Sequence, residues 1–252
     1  MQIRPEVEFA HRTDVGCQRE QNEDSFGYWE PVAGDVGRKG PLAVVADGMG
    51  GYEGGQEASQ LAVKTVSEVY RNADGSDVRS TLMEGLKTAH ARIQEYAHEH
   101  PELAGMGTTC SAAALVGNQL YFAHVGDSRL YLVRGGSMSR LTRDDSYVSR
   151  LVESGLIRPE DAEVHPQRHI LTAALGVGAE IRPECPDTPI DLEPDDVMVL
   201  CTDGLWGLVS DEELRQIVSD RPPAEACSEL VELAREHGGP DNITVLVLRV
   251  AG

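Results

Sequence analysis

Cysteine is scarce and badly spaced for structural work: Cys17, Cys110, Cys185, Cys201 and Cys227 are odd in number and never arranged as Cys-x-x-Cys. That pattern argues against a disulfide framework or a zinc knuckle, and reduced thiols are expected. Basic residues are also few, 22 Lys and Arg against 42 Asp and Glu, for a formal charge of −20. Such a chain is poorly suited to nucleic acid or to an anionic membrane, because both reward clustered Lys and Arg. Long apolar runs are missing: nothing approaches the roughly 20 residues of a membrane span. Met1 to Glu8 is mixed and charged, unlike a signal peptide. No Gly-Lys-Ser/Thr phosphate loop occurs, and Gly48-Met49-Gly50 meets Glu53 where a dinucleotide fingerprint needs glycine. The eight histidines show no His-Glu-x-x-His spacing. A cytoplasmic, unanchored protein is the expectation.

What remains is an ordinary globular mixture, 25% charged and 40% hydrophobic over 252 residues, enough for a sizeable core. With no internal repeat, linker or low-complexity tract, residues 1–252 read as a single domain. Short strands are expected at 7–15 and 25–30, turn signals at Asp35 to Gly40, and a buried strand from Leu42 to Asp47. Ala58, Leu61, Ala62, Val66 and Val69 give one helical stripe, and Leu82, Leu86, Ala89, Ile93 and Ala97 a second; two such helices in succession should pack as an antiparallel pair. Strands return at 108–116, 120–125, 129–134 and on to Leu141, with connections too short for parallel crossovers. Residues 144–174 change character, mixing a helix-like start with Gly155, Pro159 and Pro166, and read as an irregular excursion. Strands at 188–192 and 197–202, helices at 211–218 and 224–236, and a central strand at 243–250 close the chain. His124, inside an apolar strand, reads as a hydrogen-bonded core histidine, whereas His90, His98 and His100 read as surface residues; Trp29 and Trp206 read as packing.

Several apolar runs stop at an aspartate. Leu42 to Ala46 ends at Asp47-Gly48, Val197 to Thr202 at Asp203-Gly204, and Tyr121 to Gly126 at Asp127, while Asp241-Asn242 precedes the last strand. Singly, an Asp-Gly pair is most economically a turn. Repeated in an antiparallel protein, where strand ends gather, the pattern can bring carboxylates into one cleft. Hard cations such as Mg²⁺ and Mn²⁺ take several oxygen ligands and no histidine need be among them. A glycine after the aspartate lets a backbone carbonyl approach an ion. Arg19-Glu20-Gln21-Asn22-Glu23-Asp24 adds two more carboxylates, Glu23 and Asp24, and a guanidinium fork suited to phosphate oxygens.

Taken in order, Arg19-x-x-Asn22-Glu23-Asp24, Asp47-Gly48-Met49-Gly50-Gly51, Gly107-Thr108-Thr109, Val125-Gly126-Asp127-Ser128-Arg129, Thr202-Asp203-Gly204 and Gly239-Pro240-Asp241-Asn242-Ile243-Thr244 closely resemble the metal-dependent protein serine/threonine phosphatases, the PP2C-like or PPM family, in their compact bacterial form. The resemblance runs from about Val7 to Val250. It implies an α+β fold in four layers, two packed antiparallel sheets flanked by helices. It also implies two Mn²⁺ or Mg²⁺ ions bridged by Asp47, with Asp203 and Asp241 on one and Glu23 and the Gly48 carbonyl on the other. Asp24 would be a direct or supporting ligand, Asp127 would hold an additional, weaker ion, and Arg19 would bind the substrate phosphate. Phosphoserine and phosphothreonine would be hydrolysed by hydroxide bridged between the ions, with no phosphoenzyme. The implied partners are phosphorylated proteins and an opposing Ser/Thr kinase, acting with a monomer, and the excursion at 144–174 corresponds to the family's flap.

Three departures stand out. Met49 occupies the place of a histidine proposed as general acid in many eukaryotic members, and methionine cannot donate a proton. Asp144-Asp145-Ser146 stands where many bacterial members have Asp-His-Ser, and Tyr52 replaces a frequent histidine. A cysteine phosphatase is excluded, because the residues six positions after the five cysteines are Glu23, Val116, Asp191, Gly207 and Leu233, with no arginine. A pseudophosphatase acting as a phosphoprotein-binding module is the alternative reading, against which Glu23, Asp47, Asp203 and Asp241 are all present. Metal-dependent hydrolysis of nucleic acid would need a basic groove that the net charge disfavours.

Overall fold

The computed structural model describes residues 6–31, 39–50 and 53–251. The chain runs β1 (Val7–Asp14), β2 (Asp24–Trp29), β3 (Leu42–Met49), α1 (Glu53–Asn72), α2 (Val78–Glu99), β4 (Gly107–Thr108), β5 (Cys110–Val116), β6 (Gln119–Val125), β7 (Arg129–Arg134) and β8 (Ser137–Arg140). It continues through α3 (Tyr147–Glu153), α4 (Pro159–Glu163), β9 (Ile190–Asp191), β10 (Val197–Cys201), α5 (Asp203–Trp206), α6 (Asp211–Asp220), α7 (Pro223–Glu236) and β11 (Ile243–Val250). One antiparallel sheet has the order β1-β11-β10-β7-β8; the other has the order β2-β3-β5-β6-β9, with β4 also on β3. The four-layer α+β architecture is the one expected.

Side-chain alternation along the strands explains the layering. On β3, Leu42, Val44 and Ala46 face α1 and α2, where they meet Ala58, Val66, Leu82, Leu86 and Ile93. The other set, Ala43 and Val45, faces the opposite sheet and packs with Leu120, Phe122, Met198, Leu200, Leu246 and Leu248. On the far side, Val199, Val245 and Val247 pack with Leu214, Leu230 and Val231 of α6 and α7. Strands buried on both faces must be apolar throughout, which is why β3, β10 and β11 were legible as uninterrupted runs. The same alternation continued by one step directs Asp47 into the space between the sheets.

α1 and α2 are joined by residues 73–77 and lie side by side, Gly85 against Val66 and Arg92 bonding to Thr65 at 3.1 Å and Glu68 at 2.8 Å. Asp77 caps α2 by accepting from the Ser80 N–H. No helix among the described residues is long and apolar enough to cross a membrane, and the five cysteines are free.

Some expectations are corrected. The strands from Thr108 to Leu141 are not one meander: β5 and β6 belong to one sheet, β7 and β8 to the other. The chain crosses between sheets at Gly126-Asp127-Ser128, where Gly126 has φ 108° and a side chain would collide with Thr109. Asp203 opens a helix, α5, and not a turn. His90 is buried and its Nδ1 accepts the Gly176 N–H at 3.0 Å. His124 is a core histidine with both nitrogens engaged, Nδ1 with Ser111 and Nε2 with the carbonyls of Gly126 and Arg143. The turn at Asp35 to Gly40 lies largely outside the described residues, as do Gly51 and Tyr52.

Candidate metal centre

The apolar layer between the sheets gives way to polar residues at one end, and strand register determines which. Antiparallel pairing of β2 with β3 sets Asp24 directly opposite Asp47, on the face that Phe26 and Val45 occupy further along. On β10 and β11 the face carrying Met198, Leu200, Leu246 and Leu248 continues into Thr202 and Thr244. The Thr202 hydroxyl donates to Asp24 Oδ2 at 2.9 Å. Thr244 shares a hydroxyl hydrogen bond with Thr13, its partner on β1, at 2.7 Å. Asp24 Oδ1 is buried with no hydrogen bond to it.

Asp47 is held through its backbone. Its N–H donates to Thr109 Oγ1 at 2.9 Å, and its carbonyl accepts from the Thr109 N–H at 2.9 Å and the Thr108 hydroxyl at 2.8 Å. The next residue, Gly48, donates to the Glu23 carbonyl at 3.2 Å. A Cβ on Gly48 would overlap the Gly55 carbonyl, so only glycine lets α1 approach the end of β3 this closely.

Glu23 is held by a residue that the sequence motifs contain but to which they gave no role. Asn242 accepts the Glu23 N–H at 2.8 Å and donates to the carbonyls of Val15 and Gln21 at 3.0 and 2.9 Å. The Asp241 carboxylate beside it caps the Asn242 N–H at 2.8 Å and accepts from Arg19 at 2.9 Å. Asp203 stands at the start of α5, with His169 of the excursion 3.6 Å away. Asp127 lies buried at the sheet crossing, its carbonyl accepting from Trp206 Nε1 at 2.9 Å.

Electrostatics link the carboxylates into one cluster. Burial pushes the Asp47 carboxyl well above its ordinary range, and Asp24, Asp203, Asp127 and Asp241 push it further. Asp24 is raised to about 7 by burial, against the hydroxyls of Thr244 and Thr202, with Asp203 and Asp241 adding to the rise. Asp127 is raised well by burial and then by Asp203 and Asp144, with Arg129 opposing. Glu23 is raised by burial, opposed by Arg19 and reinforced by Asp241. Burial lowers Arg19, but the charge and hydrogen bond of Asp241, with Glu23 and Asp47, prevail and raise it.

The residues fit a hard divalent cation: oxygen donors, buried at Asp24 and Asp127 and half-buried at Glu23, Asp47, Asp203 and Asp241, repelling one another, with one carboxylate oxygen unpartnered. Among the described residues no three acidic, histidine or cysteine side chains close on a single point. All the expected residues, Arg19, Glu23, Asp24, Asp47, Gly48, Asp127, Asp203 and Asp241, lie in this one region. Thr202 and Thr244 stand in the motifs quoted above, but their hydrogen bonds, like the approach of His169 to Asp203, were not legible in sequence because they depend on contacts across the fold.

Comparison with known proteins gives the family. The family model described as Protein phosphatase 2C matches residues 18–237. The serine/threonine protein phosphatase PstP of Mycobacterium tuberculosis is 38% identical over 97% of this chain, which spans about half, 45%, of that relative's length. Protein phosphatase PhpP of Streptococcus pneumoniae is 36% identical over 96% of this chain and 97% of its own. The crystal structure of the catalytic domain of PstP in complex with two manganese ions superposes with a TM-score of 0.84 at 35% identity, covering 98% of this chain and 99% of that one. With its acidic cluster laid out between two sheets and a family model spanning most of its length, the chain belongs to the protein phosphatase 2C family.

Proposed function

We propose that this protein is a metal-dependent protein serine/threonine phosphatase, with residues 1–252 as one catalytic unit and 144–174 as a flap beside the site. The observation that carries the reading is the cross-strand pair of Asp24 and Asp47, surrounded by Asp203, Asp241 and Asp127 with Arg19 at its edge. Asp47 would be shared by two ions, Asp203 and Asp241 would hold one, and Glu23 and the Gly48 carbonyl the other. Asp24 would support them and Asp127 would take part in a weaker third site. Manganese in the PstP catalytic domain supports metal dependence here. Bound at this cluster, Mn²⁺ or Mg²⁺ supplies an acidified water and Lewis-acid stabilisation of phosphate oxygens.

The chain's own residues do the rest. Arg19, half exposed and paired with Asp241, can turn its remaining N–H donors to a phosphate, whose equatorial charge it stabilises. Thr202 fixes the orientation of the Asp24 carboxylate, and Asn242 holds the backbone of Glu23. Met49 offers no proton to the leaving serine oxygen. The exposed large apolar side chains Tyr147, Leu156, Val164, Ile170 and Val177 lie in or just after the flap, a surface suited to a protein substrate. Phosphoserine and phosphothreonine proteins, made by an opposing Ser/Thr kinase, are the proposed substrates of a cytoplasmic monomer.

The test is hydrolysis of a phosphothreonine peptide with Mn²⁺. Asp203→Asn should lower kcat by about 100-fold or more, in the range of losing one electrostatic catalytic group. A folded protein inactive with Mn²⁺ and Mg²⁺ would favour the binding-module reading, and full activity in Asp203→Asn would remove the site assignment.

A further inference from the structure

Beside the acidic cluster lies a buried cation that the proposed chemistry does not use. Arg129 opens β7, and its side chain is only 15% exposed. Nε and Nη2 donate as a fork to the two oxygens of Asp144 at 3.1 and 2.7 Å, and Nη1 donates to the Tyr131 hydroxyl at 3.0 Å. The guanidinium lies over the Trp206 ring, 3.6 Å from its centroid. Trp206 ends α5, the helix that begins with Asp203, and its Nε1 donates to the Asp127 carbonyl at 2.9 Å. Asp144 begins the flap. One guanidinium therefore touches the flap root and the helix of Asp203, and reaches the backbone of Asp127 through one ring.

The flap root is fastened at a second point on the same side. The Asp145 N–H donates to the Gly126 carbonyl at 2.6 Å, and the Gly126 N–H donates to Asp145 Oδ2 at 3.1 Å. Thr172 N–H donates to the Asp145 carbonyl and Tyr147 N–H to the Ile170 carbonyl, closing the base of the excursion. A guanidinium this buried is tolerated only when its donors are matched, and here a carboxylate fork, a hydroxyl and an aromatic face match it. Lysine, a single point charge, cannot span the same partners. Without the fork, Asp144 keeps only the Arg140 Nη1 contact at 3.2 Å, and its charge bears more fully on Asp127.

We infer that Arg129 is a positioning residue that locks the flap root to the Asp127 and Asp203 side of the centre, coupling flap placement to cation affinity at Asp127, the proposed weaker site. The inference takes its site from the phosphatase reading, but its test does not depend on turnover. Arg129→Lys and Trp206→Phe are compared with the wild type by tryptic cleavage within 144–174, after Arg150 and Arg168, and by calorimetric titration with Mn²⁺. The expected result is at least about 5-fold faster flap cleavage in Arg129→Lys, and a weakest Mn²⁺ binding step loosened by about 5- to 10-fold, the size of an ordinary coupling. The tighter steps should hold, whereas general loosening of the fold would weaken them all. If Arg129→Lys does not fold, Trp206→Phe, which keeps a ring under the guanidinium and loses the donation to Asp127, carries the same expectations. Cleavage rates and isotherms that superimpose on the wild type overturn the inference, as does an equal weakening of every step. Loss of the phosphatase reading would appear separately, as a wild type that releases no phosphate from the phosphothreonine peptide while the coupling persists.

Discussion

Asp24 shows at a single residue what gathering carboxylates does to the fold. Burial, with Asp203 and Asp241 nearby, raises it to about 7 despite the hydroxyls of Thr244 and Thr202. The unfolded chain releases this proton near the ordinary 3.8, so between those values the folded state holds more protons than the unfolded one. Stability from this residue is then complete at acid pH and lost as pH rises through about 7. In chelator, the melting temperature should fall between pH 5 and pH 8, and Asp24→Asn should flatten that fall and melt several degrees higher at pH 8. Thermal melts across pH decide it; equal slopes in the two proteins would mean that Asp24 is not the source. The carboxylates themselves were legible in sequence, because each ends an apolar run or sits in a compact motif. Asp24's direct pairing with Asp47 was not, since register is a property of two strands and not of one.

Among elements, the turn between β1 and β2 depends on a side chain from the far end of the chain. Asn242 holds that turn by three hydrogen bonds, to the Val15 and Gln21 carbonyls and from the Glu23 N–H. Asn242→Ala should destabilise the protein by about 2–3 kcal/mol, because partly buried backbone groups lose their partners. It should also weaken Mn²⁺ binding, because Glu23 is no longer fixed. Urea unfolding gives the first quantity and calorimetry the second; a stable variant with unchanged Mn²⁺ affinity would show that the turn holds itself. Long elements were legible: β3 and β11 are unbroken apolar runs, and α1 and α2 carry clear stripes. The four-residue helix α5 is too short to show a period, so Asp203-Gly204 reads as a turn. The passage of the chain from one sheet to the other at Asp127 was hidden as well, since β6 and β7 alternate alike whichever sheet each joins. Trp206 read as packing, and it does pack; its hydrogen bond to Asp127 joins residues 79 positions apart, beyond the reach of any local pattern.

For the molecule as a whole, the excess of 42 acidic over 22 basic residues acts in two ways that ions can separate. Repulsion spread over the surface is screened by any salt, since the Debye length falls to about 10 Å at 0.1 M and less above it. Repulsion concentrated among Asp24 and Asp127, which are buried, and Asp47, Asp203 and Asp241, which are half-buried, is screened less than that of surface charges, and ions bound at fixed positions relieve it. In chelator, raising NaCl from about 20 to 300 mM should therefore lift the melting temperature gradually by a few degrees. Mn²⁺ should act saturably, and at about 100 times its dissociation constant a single ion adds about 2.7 kcal/mol, or roughly 5–10 °C for a protein of this size. Asp47→Asn separates the two effects: it leaves the surface charge almost as it was, so the NaCl response should survive while most of the Mn²⁺ increment disappears. An Mn²⁺ increment as large in Asp47→Asn as in the wild type would place the stabilising ions elsewhere on the acidic surface, and the convergence of strand ends would then be a feature of folding and not of ion binding.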